Sequence, residues 1–205
     1  HAIKYLESTG LDQVSQMTSQ NWFTYLSDDS LFQALLKADV VTSPAFENLL
    51  TDIRRRLLRL VVNDHANLNS VPLNFAVALA HQAYLTEFVY HFSRPELNEL
   101  KELRANLSTA IETEKLSGQE LSLKLAVSAA YRSSDGWINN VREALEKIGL
   151  GSLVRLQILE PEAEAKLEKG IKTLSPINDG VSRQVKIQYE QNPFPRWSTL
   201  SRPAP

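Results

Sequence analysis

No cysteine occurs among the 205 residues. Disulfides, thiol nucleophiles and cysteine-bound metals are thereby excluded, and a cytoplasmic setting is expected. Glycine is scarce. The seven glycines stand at positions 10, 118, 136, 149, 151, 170 and 180, and none are arranged as GxGxxG or GxxxxGK(S/T). A loop that wraps a phosphate needs clustered glycines for close backbone approach, so a complete nucleotide-binding Rossmann fold is not expected in these residues. Charge of one sign is not in excess either. Lys and Arg number 22 against 24 Asp and Glu, a net charge of −2, which offers no global field for nucleic acid or an anionic membrane. No apolar run approaches the ~20 residues that cross a bilayer, and the opening HAIKYLESTG lacks the apolar centre of a signal peptide. Neither nucleic acid nor a membrane is an expected partner.

What the chain does hold is helix punctuation. Hydrophobic residues make up 43% and charged residues 22%, ordinary values for a chain long enough to bury a core. Asp28, Asp29 or Ser30 can cap SLFQALLKAD. Ser43-Pro44 sets a capping residue before a first-turn proline, with Glu47 at the positive helix end. From there Phe46, Leu49, Leu50, Ile53, Leu57, Leu60 and Val61 recur at spacings of three and four. Pro72 opens LNFAVALAHQAYLTEFVYHF, which is apolar nearly all round and so is expected at the centre of the bundle. Ser93, Pro95 and Glu96 open ELNELKELRANLSTAIETEK. Ser117 with Glu120 matches a capping box before LSLKLAVSAAYR. Asp135 can cap GWINNVREALEKIG, which Gly149 can end. LVRLQILE is β-branched enough for a strand but has nothing nearby to pair with, and is read as helix. Pro161 opens PEAEAKLEKGI. Asp179 can cap GVSRQVKIQYEQ, which stops before Asn192-Pro193 because the residue before a proline disfavours the α region. No period-two strands and no repeat of solenoid length are visible. The expected fold is all-α, a bundle of about seven to nine helices. It divides into a helical domain over 1–191 and an extended proline-rich tail over 192–205.

The polar residues offer no catalytic pattern. Arg54-Arg55-Arg56 with Arg59 is the densest positive patch, read as a solvated helix face because Glu47, Asp52 and Asp64 share the helix. His81, Tyr84, Glu87, Tyr90 and His91 are expected on one helix, but His-Glu-x-x-His is absent, so they are read as core aromatics with bonded polar edges. Glu112 with Glu114, and Glu160 with Glu162 and Glu164, fall on exposed faces. No GxSxG elbow occurs. Catalytic and metal residues are therefore not expected.

The tail is the exception. NPFPRWSTLSRPAP, Asn192 to Pro205, holds four of the nine prolines. Val181, Val185 and Tyr189 form a narrow apolar stripe on the helix before it, and Phe194 and Trp197 are large apolar groups in a segment without periodicity. Left exposed, each would forgo roughly 1.5–3 kcal/mol of burial. They are expected to dock, either on this helical body or on a domain that follows.

DGVSRQVKIQYEQNPFPRW resembles the segment "VS..VR.QYEENPYPRW", which precedes the S-adenosylmethionine-binding core in a family of bacterial methyltransferases, many with tetratricopeptide repeats further upstream. The match covers Val181, Ser182, Val185, Gln188, Tyr189, Glu190, Asn192, Pro193, Pro195, Arg196 and Trp197. Lys186 replaces the usual Arg, Gln191 the second Glu, and Phe194 the Tyr, which removes a hydroxyl donor. SLFQALLKADVVTSPAFENLLTDIRRRLL is similar to the family's "D.LL..LL....V.DP.LE.LLT.LRR.LL", and NFAVALAHQAYLTEFVYHF to its "F..ALA.QCF.NEYVF". In order, these span most of Ser30 to Trp197.

The resemblance implies a non-catalytic helical accessory domain cut just before the enzyme core, which would carry the glycine-rich loop. It implies no catalytic, cofactor-binding or metal residue here, with S-adenosylmethionine the cofactor of the full-length protein. Tyr189, Asn192, Pro193, Phe194, Pro195, Arg196 and Trp197 become a junction or lid. The implied partner is the chain's own C-terminal methyltransferase domain, with a homodimer as an option. The alternative is a stand-alone helical interaction module.

Overall fold

The computed structural model describes residues 20–38, 40, 43–63, 68, 71–113, 118–131, 136–168, 170 and 179–191. Among them every regular element is helical. In chain order these are α1 (Gln20–Asp28), α2 (Ser30–Ala38), α3 (Pro44–Asn63), α4 (Leu73–Leu85), α5 (Arg94–Glu112), α6 (Gly118–Ala129), α7 (Trp137–Asn140), α8 (Arg142–Lys147), α9 (Gly151–Val154), a π-helical run (Arg155–Leu159), α10 (Glu160–Glu168) and α11 (Gly180–Gln191). Since α9, the π run and α10 are continuous, the eleven α stretches make ten separate helices.

Prolines and capping side chains explain where several helices start. Pro44 opens α3 and Pro72 is the N-cap of α4. At α5 the Glu96 amide donates to Ser93 Oγ at 3.4 Å, and the Ser93 amide donates to Glu96 Oε2 at 3.2 Å. Two of the amides left free at a helix start are thereby satisfied, which stabilises such an end by about 1 kcal/mol. At α11 the Ser182 amide donates to Asp179 Oδ2 at 2.8 Å, and that bond holds the Asp179 carboxyl below its ordinary value. Gly149, at φ +81°, follows α8 in the left-handed region that glycine adopts freely.

The hydrophobic stripes set the packing. Leu49, Leu50, Ile53, Leu57, Leu58 and Val61 bury one face of α3. α4 buries nearly its whole circumference and packs against α2, α3, α6 and α9, so it is the central helix that its composition predicts. The ring of Phe32 of α2, fully buried, has its centre 6.2 Å from the ring centre of Phe75 of α4 and 6.4 Å from that of Phe46 of α3. α5 and α6 complete the bundle against α3.

The structure differs from the sequence-based expectation at four places. α1 is an additional helix. The segment 136–149 is not one helix but α7 and α8, separated at Val141 (φ −101°, ψ 10°). Pro161 does not start a new helix. The chain passes through the π run just before it, a wider turn that accommodates the missing proline amide. Most consequentially, α4 stops at Leu85 instead of running on to Phe92. Glu87 and Phe88 both take left-handed angles (φ 54° and 55°). The Glu87 amide donates to the Tyr84 carbonyl at 3.0 Å and the Phe88 amide to the Ala83 carbonyl at 2.7 Å, a Schellman ending built without glycine. Each such residue carries roughly 1–2 kcal/mol of strain. Burial of Tyr90 and packing of Phe88 against the core offset it.

Candidate functional site

The turn after α4 delivers its residues to a buried polar cluster. Arg54 lies on the same face of α3 as Leu50, Leu57, Leu58 and Val61, and its side chain is only 1% exposed. Its Nη2 donates to the His91 carbonyl at 2.8 Å and to Glu96 Oε1 at 3.1 Å. The guanidinium carbon lies 4.4 Å from the centre of the Tyr131 ring and 5.5 Å from that of Tyr90. Shielded from water, a cation over an aromatic face contributes about 2 kcal/mol or more. The solvated-face assignment is therefore wrong for Arg54, whose position within the apolar stripe draws it into the core. It holds better along the rest of the run: Arg55 and Arg56 are half-buried and Arg59 is exposed.

Glu96 is 2% exposed and fully engaged. Oε1 accepts from Arg54 and from the Tyr131 hydroxyl at 2.9 Å, and Oε2 accepts from the Ser93 amide and from Arg55 Nε at 3.4 Å. Burial pushes the carboxyl up. The Tyr131 hydroxyl, Arg54, the Ser93 amide and Arg55 together outweigh it and hold the group below its ordinary value. Burial also raises both tyrosines, Tyr90 to about 12 and Tyr131 further. With its lone pairs spoken for, Glu96 is not placed to take a proton from a substrate. This cluster joins α3, the turn after α4, α5 and the end of α6.

The end of α6 is secured by two further side chains. Arg104 of α5 donates to Ser128 Oγ at 3.1 Å, to the Ser128 carbonyl at 3.3 Å and to the Tyr131 carbonyl at 3.1 Å, with its guanidinium 5.0 Å from the Trp137 ring. Gln157, in the π run, donates to the Ala129 carbonyl at 3.0 Å and to the Ala80 carbonyl at 3.4 Å. Carbonyls at and just past the end of α6 are thus met by donors from neighbouring elements.

His81, Tyr84, Glu87, Tyr90 and His91 do not share a helix, because α4 ends at Leu85. Tyr84 and Tyr90 are buried and His91 is exposed. Among the described residues no group of three or more His, Asp or Glu could hold a metal ion. The helices there include none long and apolar enough to cross a membrane. A groove of about 600 Å³ lies where α5 and α6 meet α7 and α8, floored by Ile111, Leu121 and Ile148 and edged by Asn139, Arg142 and Lys147. A smaller cavity of about 100 Å³ adjoins Val61, Leu107 and Lys124.

Of the expected junction residues, the structure describes Tyr189. Asn192, Pro193, Phe194, Pro195, Arg196 and Trp197 lie outside the described residues. α11 carries its apolar residues outward: Val181 and Tyr189 are each 68% exposed, Val185 and Ile187 each 44%. Comparison with protein-family models, with curated proteins and with solved structures finds no match.

Proposed function

We propose that this chain is a non-catalytic helical accessory region of an S-adenosylmethionine-dependent methyltransferase, with the segment from Tyr189 to Trp197 serving as the junction or lid against the enzyme core. The observation that carries the proposal is α11. Its stripe of Val181, Val185 and Tyr189 stays exposed on the helix that leads into NPFPRW, where the ordered resemblance to the methyltransferase family is densest. An apolar surface of this kind gains from a partner that covers it. Pro193 and Pro195 restrict the backbone beyond it, which lowers the entropy lost when Phe194 and Trp197 dock.

In this account S-adenosylmethionine binds the core, not this chain. Isothermal calorimetry of the 205-residue chain with S-adenosylmethionine is expected to give no measurable heat of binding. A micromolar dissociation constant would place a cofactor site within the bundle and refute the proposal.

A further inference from the structure

The helix that begins at Gly151 lies against the bundle as far as Ile158 and then leaves it. Leu153, Val154, Leu156 and Ile158 are buried. From Glu162 to Leu167 every residue is exposed, so α10 projects into solvent as an arm. The change comes at the π run. There the Glu160 amide donates to the Arg155 carbonyl, five residues back instead of four. Each residue of an α-helix turns the chain by about 100°. One extra residue in the run therefore rotates the faces of α10 by about 100° relative to an unbroken α-helix.

Two side chains bracket the offset. Pro161 has no amide to offer the Gln157 carbonyl, and in an unbroken α-helix its ring would collide with that carbonyl. Gln157 acts from the other side. Its Nε2 donates to the Ala129 carbonyl at 3.0 Å and to the Ala80 carbonyl at 3.4 Å. The run is thereby tied to α4 and to the end of α6 just before the helix leaves them. Two ion pairs also reach the arm, Arg155 with Glu160 at 3.5 Å and Arg142 with Glu162 at 3.8 Å. Exposed pairs of this kind contribute little, so they are weak guides to its direction.

We propose that the π run, Pro161 and Gln157 together form a fixed mount that aims α10 away from the bundle. Pro161 keeps the helix one residue out of α register, and Gln157 pins the run to the helices beneath it. The mount belongs to the chain itself and does not depend on an enzyme core following it.

The chain has no cysteine, so nitroxide labels can be placed at chosen positions. Ala105→Cys on α5 is paired in turn with Ala163→Cys and with Ala165→Cys on α10, all three exposed. Double electron–electron resonance of the 205-residue chain then reads two distances from bundle to arm. The two arm labels stand about 200° apart around the helix axis, so a rotation of the arm moves at least one of them. Each pair is expected to give a single narrow distribution. Pro161→Ala, which restores an amide and permits the α register, is expected to shift the centre of at least one distribution by several ångströms. Gln157→Leu, which keeps the bulk and removes the donor, is expected to broaden both. Broad distributions in the labelled parent chains overturn the mount, because the arm then has no set direction. So do Pro161→Ala distributions that coincide with the parent's, or Gln157→Leu distributions as narrow as the parent's.

Discussion

Arg54 and Glu96, 42 positions apart in sequence, meet at 3.1 Å with side chains 1% and 2% exposed. The pair brings α3 to the first turn of α5, and the Arg54 bond to His91 fixes the strained turn between α4 and α5. Desolvating two charges costs nearly what their attraction returns, so the pair by itself adds little to stability. Removing one member is different, because the other is then buried without a partner.

Glu96→Gln and Arg54→Met are therefore each expected to destabilise the chain by about 3–5 kcal/mol. The change should be read in urea as a lower transition midpoint with an unaltered slope. A loss below about 1 kcal/mol would mean that the cluster opens to water in solution.

The same carboxyl sets an acid limit. Its value in the folded chain lies below the ordinary 4.5. The stability it contributes is present above 4.5 and is lost as pH falls through the folded value. Glu96→Gln is expected to flatten the pH dependence in that range while leaving the histidine range unchanged. Urea titrations at a series of pH values, compared between wild type and variant, measure this.

Strain makes the opposite kind of prediction at Glu87. Glycine there removes the cost of the left-handed backbone while keeping the Schellman bonds. Part of the gain is lost to the greater freedom of glycine in the unfolded chain. Glu87→Gly is expected to stabilise by about 0.5–1 kcal/mol, a rise in Tm of roughly 1–4 °C for a chain of this size. Phe88→Gly should destabilise, since Phe88 packs on the core and edge-on to Tyr84, ring centres 6.1 Å apart. Scanning calorimetry of the two variants distinguishes the cases.

Much of the fold was legible because helices announce themselves locally. Ser93 and Glu96 at capping-box spacing, Pro44 and Pro72 at helix starts, and Asp179 before α11 all mark real ends. The end of α4 was not legible. A left-handed ending without glycine has no residue signature, and TEFVYHF continues the apolar pattern of the helix it terminates. The buried cluster was only half legible. Arg54 follows Leu50 by four and precedes Leu57 by three, the spacing of the core stripe. Its neighbours Arg55 and Arg56 masked that signal by suggesting a charged face. Tyr131 as its partner is a long-range fact that no local pattern holds. For the candidate junction, α11 shows exposed apolar residues where the sequence has a stripe. Residues 192–205 lie outside the described structure, so docking of Phe194 and Trp197 rests on the proposal above.

The most direct measurement compares one double substitution in two settings. Phe194→Ala with Trp197→Ala is introduced into this 205-residue chain and into the protein encoded by its whole reading frame. The account predicts that the Tm of the chain stays within about 1 °C, as for substitutions away from a packed core. In the whole protein, S-adenosylmethionine affinity or methyl-transfer turnover should fall at least about tenfold, the equivalent of 1.4 kcal/mol of lost docking. A chain that loses several degrees of stability while cofactor binding and turnover are unchanged would contradict the account, for the two aromatics would then belong to the bundle's own core. A whole protein that binds no S-adenosylmethionine would contradict it as well, and would leave a helical interaction module in its place.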